Sequence, residues 1–322
     1  MTAEFSLIDR YFVAHGRARD DVLLGIGDDC ALLTPPAHEH LAMTVDTLVE
    51  NVHFFAAANP ENLGHKALAV NLSDLAAMGA MPAWATLALT LPNVDEAWLE
   101  AFCRGLFTLA TCHQVQLIGG DTTGGAITTI TIQASGFVPA GQALRRDGAK
   151  PGDVIYVTGT LGDAGLALQV LSGKKKVSVA DHGFLQMRLE KPEPRLAQGL
   201  ALRGIASAAI DVSDGLAQDL GHILSRSQVG ARLNVDRLPL SQALIMNLGA
   251  NSAATTALTS GDDYELCFTV APAHIPELEA AIAAWDCRCT RIGVIEAAPG
   301  LRLIHADGAT FELTQPGYHH FA

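Results

Sequence analysis

The chain has 322 residues, 49% of them hydrophobic, enough for two packed cores because single cores rarely grow past about 250 to 300 residues. Its 21 basic against 34 acidic residues give a formal net charge of −13, which repels a phosphate backbone and sets nucleic acid aside as a partner. Residues 4–21 are polar and charged, unlike a signal peptide, and no run approaches the roughly 18 apolar residues of a membrane span, so the sequence predicts a cytoplasmic protein with no membrane partner.

In chain order, residues 41–48 read as a short strand, and residues 62–78 as a helix closed by Gly79 and Pro82. Residues 84–91 read as a strand and 95–112 as a strong helix. Residues 116–118 form a strand running into Gly119-Gly120-Asp121, and the Thr- and Ile-rich stretch 127–137 is another strand. Residues 140–153, rich in Gly, Arg, Lys and Pro, lack periodicity and mark a boundary between an N-terminal domain, 1–140, and a C-terminal α/β domain, 150–322. Beyond it, strands are expected at 154–158, 208–212 and 264–270, helices at 162–171 and 215–225, and a surface loop at 173–180, where three lysines adjoin. The six cysteines, Cys30, Cys103, Cys112, Cys267, Cys287 and Cys289, match no common zinc spacing and read as reduced thiols.

The most informative feature is a set of carboxylates at predicted strand ends, turns and helices: Asp28-Asp29, Asp46, Asp74, Asp121, Asp211, Asp214 and Asp262-Asp263. Two carboxylates about 5 Å apart repel by roughly 3 kcal/mol at an effective dielectric near 20, so clustering them requires protonation or a counter-cation. Oxygen donors select magnesium, calcium or manganese over zinc. Singly, each aspartate has an alternative reading as a turn former or helix cap, Asp214 before Gly215 above all. Adjacent pairs are harder to explain that way, since a turn needs one carboxylate. Asp74 lies in an otherwise apolar helix, on a face with Ala67, Val70, Asn71 and Met78 that reads as half buried, where a charge calls for a cation.

Glycines in Gly25-Ile26-Gly27-Asp28-Asp29 and Gly119-Gly120-Asp121-Thr122-Thr123 permit close backbone approach, so main-chain amides could face phosphate beside a metal-holding aspartate. No GxxxxGK[ST] pattern exists, and Gly159-x-x-Gly162-x-x-Gly165 is too weak a pattern to place a cofactor.

Together, Gly25-Ile-Gly-Asp-Asp-Cys-Ala31, Val45-Asp-Thr-Leu48 with His53, the helix from Lys66 to Gly79, Gly119-Gly-Asp-Thr-Thr123, Asp211-Val-Ser-Asp-Gly-Leu216 and Ser260-Gly-Asp-Asp-Tyr-Glu-Leu266 resemble bacterial thiamine-monophosphate kinase. The match of motif order runs from Glu4 to Gly317-Tyr-His-His-Phe321. The resemblance implies a two-domain α/β fold of the aminoimidazole ribonucleotide synthetase-like type, with mixed sheets packed with helices, and a homodimer paired through N-terminal domains that bind ATP and Mg2+. It implies Asp29, Asp46, Asp74, Asp121, Asp211 and Asp214 as metal ligands with the Thr44 hydroxyl and the Val45 carbonyl, and Asp29, Asp74, Asp121 and Asp211 as catalytic. Gly120, Asp121, Arg146 and Ser213 would contact ATP, and His53, Asp262 and Tyr318 the thiamine substrate. The implied reaction is direct in-line, Mg-assisted phosphoryl transfer from ATP to thiamine monophosphate, the last step of thiamine diphosphate formation. Two other readings stay open: an ATP-dependent synthetase of the aminoimidazole ribonucleotide type, and a non-catalytic nucleotide- and metal-binding module.

Overall fold

The computed structural model describes residues 8–13, 18–313 and 317. Contacts divide the chain into two compact units, Met1–Leu75 with Ala80–Gly141, and Ala76–Gly79 with Gln142–Ala322. Among the described residues no helix is long and apolar enough to cross a membrane.

The first unit contains a π-helical turn (Asp9–Val13), β1 (Val22–Leu24), β2 (Leu32–Leu33), β3 (Glu39–Val49), α1 (Pro60–Ala77), β4 (Met81–Leu91), α2 (Glu96–Cys112), β5 (Gln116–Gly124) and β6 (Thr129–Pro139). Its main sheet has the order β3-β6-β4-β5, antiparallel except for β4 with β5, whose parallel pairing follows from the crossover through α2. Asn59 starts α1 by accepting from the Glu61 and Asn62 amides at 2.9 and 3.4 Å, with Pro60 at the first helical position. Asp95 caps α2 in the same way, accepting from Ala97 and Trp98. The α1 and α2 backbones nearly touch: a Cβ on Gly64 would stand 2.0 Å from the Phe102 carbonyl oxygen. Consequently α1 is buried all round from Leu63 to Ala77 except at Asp74, not half buried on one face as its sequence suggests.

In the second unit the order is β7 (Val154–Thr158), α3 (Asp163–Leu171), α4 (Val179–Glu190), α5 (Leu196–Ala201), β8 (Ala206–Asp211), α6 (Leu216–Ser227), β9 (Gly230–Asn234), α7 (Gln242–Leu248), α8 (Ala250–Thr259), β10 (Leu266–Val270), α9 (Ile275–Ile282), β11 (Cys289–Glu296) and β12 (Gly300–Ile304). The sheet order is β12-β9-β11-β7-β10-β8, parallel only between β12 and β9. Central β7 and β10 are buried along their whole length, and Ile155, Val157, Ile210, Leu216, Leu220, Ile223, Leu233 and Ile292 form the core between sheet and helices. Both units therefore carry mixed sheets packed with helices, the fold class the resemblance implied.

Candidate active site

In the first unit, Gly27 has φ 120° and Asp28 Oδ1 accepts from the Asp29 amide at 2.9 Å, so Asp28 ties its own turn while both carboxylates of the pair stay exposed. Thr44 sits in β3, where its hydroxyl donates to Asp74 Oδ2 on α1 in a very short contact. Asn71, one turn before Asp74, is fully buried; its Nδ2 donates to the Ala67 carbonyl while Oδ1 has no partner. The Val49 amide donates to His53 Nδ1 at 3.0 Å, which sets the tautomer with the proton on Nε2.

Asp46 was expected near the end of a strand and Asp121 at a turn. Both stand within strands, β3 and β5, because the glycines before Asp121 serve a strand contact: a Cβ on Gly120 would fall 1.9 Å from the Leu87 carbonyl oxygen of β4. Asp46, Ile132, Leu87 and Gly120 form one cross-strand row, and Thr47, Thr131, Ala88 and Asp121 the next. Successive residues point to opposite faces, so Asp46 shares the α1 face with Thr44, and Asp121 lies on the other. Three strand spacings, about 14 Å, separate their backbones. At the other edge of the sheet that outer face carries exposed Leu41, Met43 and Val45 from β3, the last two 63% and 60% exposed. Val45's exposed side chain is apolar, which leaves its carbonyl as the donor to consider.

In the second unit, buried Asp211 ends β8 opposite Leu266 of β10. The following turn is organised by Asp219, which the sequence reading missed: its Oδ2 accepts from the amides of Ser213, Asp214 and Gly215 at 3.0, 3.0 and 3.1 Å. Burial pushes the Asp219 carboxyl up to about 7, against the lowering effect of these amides. An aspartate one turn into a helix, after Asp-Gly, is the local signal that could have found it. This turn is tied to the next acidic one, since the Asp262 amide donates to the Ser213 carbonyl at 2.8 Å and Tyr264 to Val212 at 2.9 Å. Gly317 packs on the same turn, where a Cβ would come 2.7 Å from the Asp214 carbonyl oxygen; Tyr318 lies outside the described residues. Arg146 is exposed and its carbonyl accepts from Ser227, while neighbouring Arg145 pairs with Asp147.

Asp262 and Asp263, unlike the exposed Asp28 and Asp29, divide into a half-buried and a buried member. Asp263 is 2% exposed and its Oδ2 accepts from the Gly162 amide at 2.8 Å; burial raises its carboxyl well above the usual range. Beside it, Glu265 receives Arg195 Nε and Nη2 at 2.7 and 2.8 Å, Arg188 Nη2 at 3.0 Å and Thr158 Oγ1 at 2.7 Å. A Cβ on Gly159 would stand 2.0 Å from this carboxylate. The Gly159-x-x-Gly162 pattern thus makes room for buried carboxylates and caps, and its weakness as a cofactor signal has a structural cause. Strand 264–270 begins only at Leu266 because Asp262 and Tyr264 adopt φ 66° and 49°, which cannot extend a ladder.

The donors gathered around these turns are oxygens, the chemistry of a hard cation. Among the described residues no three His, Cys, Asp or Glu side chains converge as a preformed metal cage. Magnesium is usually held by one or two carboxylates, with waters and substrate phosphates filling the remaining positions, so the paired oxygens of Thr44 and Asp74 fit such an ion.

Residues 27–138 match the N-terminal domain, and residues 150–306 the C-terminal domain, of AIR synthase related protein. The thiamine-monophosphate kinase of Salmonella typhimurium is 52% identical over 99% of this chain and 98% of its own. The crystal structure of thiamine-monophosphate kinase from Stenotrophomonas maltophilia superposes with a TM-score of 0.87 at 51% identity, covering 96% of this chain and 98% of that one. AaThiL complexed with AMPPCP and TMP superposes with a TM-score of 0.78 at 28% identity, covering 100% of this chain and 99% of that one. On the strength of this full-length likeness and of the acidic turns that carry it, the chain belongs to the thiamine-monophosphate kinase family, built from AIR synthase related N- and C-terminal domains.

Proposed function

We propose that this protein transfers the γ-phosphoryl group of ATP to thiamine monophosphate, forming thiamine diphosphate, as a magnesium-dependent homodimer of the cytoplasm. The observation that carries the reading is the 52% identity to a thiamine-monophosphate kinase across nearly the full length of both chains. The AMPPCP- and TMP-bound relative supports ATP and thiamine monophosphate as the two ligands.

The acceptor is a phosphate already anionic at neutral pH, so the chemistry needs little from a general base. What it needs is two anions held in line and their repulsion offset. Bound magnesium supplies that charge neutralisation. Asp29, Thr44, Asp46, Asp74 and Asp121, with the Val45 carbonyl, would hold it in the first unit, and Asp211 and Asp214 in the second. The Asp46 and Asp121 backbones stand about 14 Å apart on opposite faces, so within one copy they serve different cations, which supports several magnesium ions rather than one. Gly120, Arg146 and Ser213 are assigned to ATP. His53, Asp262 and Tyr318 are assigned to the thiamine monophosphate, whose cationic thiazolium suits a carboxylate and an aromatic face. The exposed Leu41, Met43 and Val45 stripe supports pairing of two copies through that face of the first unit.

Incubation with ATP and magnesium should release ADP with thiamine monophosphate and not with plain thiamine. Turnover of formylglycinamidine ribonucleotide instead would favour the synthetase reading. ATP binding without ADP release on any phosphorylated thiamine would favour the non-catalytic one.

A further inference from the structure

Residues 262–265 alternate between inside and outside. Asp263 and Glu265 are 2% and 1% exposed, whereas Asp262 and Tyr264 are half-buried. The two outward residues are also the two in left-handed conformation, at φ 66° and 49°. Non-glycine side chains seldom occupy that region, and two of them with a single residue between persist only where the surroundings over-determine the shape. Here the surroundings do so from below and from the side. Below, Asp263 caps Gly162 and Glu265 is gripped by Arg188, Arg195 and Thr158. At the side, the Asp262 and Tyr264 amides are fixed to Ser213 and Val212. With the backbone so held, the Tyr264 hydroxyl folds back over one residue and donates to Asp262 Oδ1 at 3.0 Å.

We propose that Tyr264 is the positioning residue of the substrate site: its hydroxyl holds Asp262 in the one rotamer that presents the carboxylate to the cationic ring of the thiamine ligand. This rests on the assignment of Asp262 to the substrate. A short aspartate side chain otherwise samples several staggered wells, and ordering it on binding weakens affinity. The strained turn is thereby explained as pre-organisation, since it brings a donor onto a carboxylate two positions away. A two-carbon arm separates the thiazolium from the phosphate that accepts the transferred group, and the ring takes no part in the bonds that change. Losing this hold therefore removes ground-state and transition-state binding equally, which appears in KM and not in kcat.

The test compares wild type, Tyr264→Phe, Asp262→Asn and the double variant, with ATP saturating. Tyr264→Phe keeps the ring and removes only the hydroxyl; it should raise KM for thiamine monophosphate about tenfold, the scale of a hydrogen bond to a charged group, with kcat and KM for ATP unchanged. In the Asp262→Asn background it should add almost nothing, because the two side chains act as a unit. Unchanged KM in Tyr264→Phe beside a raised KM in Asp262→Asn overturns the inference alone, as do two losses that multiply in full. Asp262→Asn without effect on KM overturns the substrate assignment itself and the inference with it. If turnover is too slow to measure in a variant, dissociation constants from calorimetry give the same comparison.

Discussion

The buried carboxylate of Glu265 is the strongest test of how the second unit holds its acidic turn. Glu265→Gln preserves shape and removes charge. In the wild type all four hydrogen bonds to this group come from donors, two on each oxygen: Arg195 Nη2 and Arg188 Nη2 on Oε1, Arg195 Nε and Thr158 Oγ1 on Oε2. An amide nitrogen on the Oε1 side would oppose two guanidinium N–H groups. On the Oε2 side it opposes one, and the Thr158 hydroxyl can turn to accept, so the amide settles there and the Arg195 Nε bond is lost. Arg195, 7% exposed and held charged by Glu265 against the effect of burial, then loses its buried counter-charge and keeps only the exposed Glu193 carboxylate at 3.4 Å. Breaking one side of a buried pair costs about 3–5 kcal/mol. The hydrogen bonds retained on Oε1, and easier ionisation of Asp263 once the repelling Glu265 charge is gone, place the expected loss near the lower end, about 3 kcal/mol. Trp285 stands edge-on to Phe268 at 6.4 Å in the second unit, whereas Trp84 and Trp98 belong to the first. Urea unfolding followed by Trp285 fluorescence in a Trp84→Phe, Trp98→Phe background therefore reports this unit, and the midpoint should fall by about 1–2 M. A shift worth less than about 1 kcal/mol would refute the claim that this ion cluster holds the turn. Combining Glu265→Gln with Arg195→Met should recover part of the loss, since the stranded charge is removed.

Asp263→Asn tests the neighbouring carboxyl. Its folded pKa lies well above 3.8, so over that interval the unfolded chain binds fewer protons and stability falls as pH rises; Asn should leave acid stability nearly unchanged and flatten this slope in urea titrations at several pH values. Asp74→Asn should weaken magnesium binding by at least about 100-fold, read by calorimetry, with an unaltered circular dichroism spectrum; wild-type affinity would remove Asp74 from the metal site. Met43→Lys, at a position 63% exposed, should change folding stability by no more than about 0.5 kcal/mol and, on the proposed pairing, sediment as a monomer where the wild type sediments as a dimer. A variant that stays dimeric would place the pairing surface elsewhere.

Local signals carried the fold where they were strong. Asp95 and a sustained apolar period placed α2 within one residue, while α5, α7, α8 and α9, and the strands β9, β11 and β12, went unread because short or Ala-rich segments carry little period, and α4 because its polar residues interrupt the apolar spacing. Errors at the site have a common cause in contacts distant along the chain. Gly120 reads as a turn residue until the Leu87 carbonyl is found against it, and nothing near Glu265 announces Arg195, 70 residues away, or Thr158, 107 away.

The adjacent acidic pairs lie between these extremes. A turn needs one carboxylate, so a second in sequence is an excess that calls for another explanation. In each pair one member takes a backbone amide: Asp28 caps the Asp29 amide with both carboxylates exposed, and Asp263 caps Gly162 from a buried position that leaves Asp262 half-buried. Which member serves as the cap depends on a partner amide. For the first pair that partner is the next residue, so its assignment lies within reach of local rules. For the second it lies 101 residues away, where no reading of Ser260-Gly-Asp-Asp-Tyr could find it. The chemistry of an acidic pair is thus legible in sequence as a count of carboxylates, and the identity of the reactive one only through the backbone that claims its neighbour.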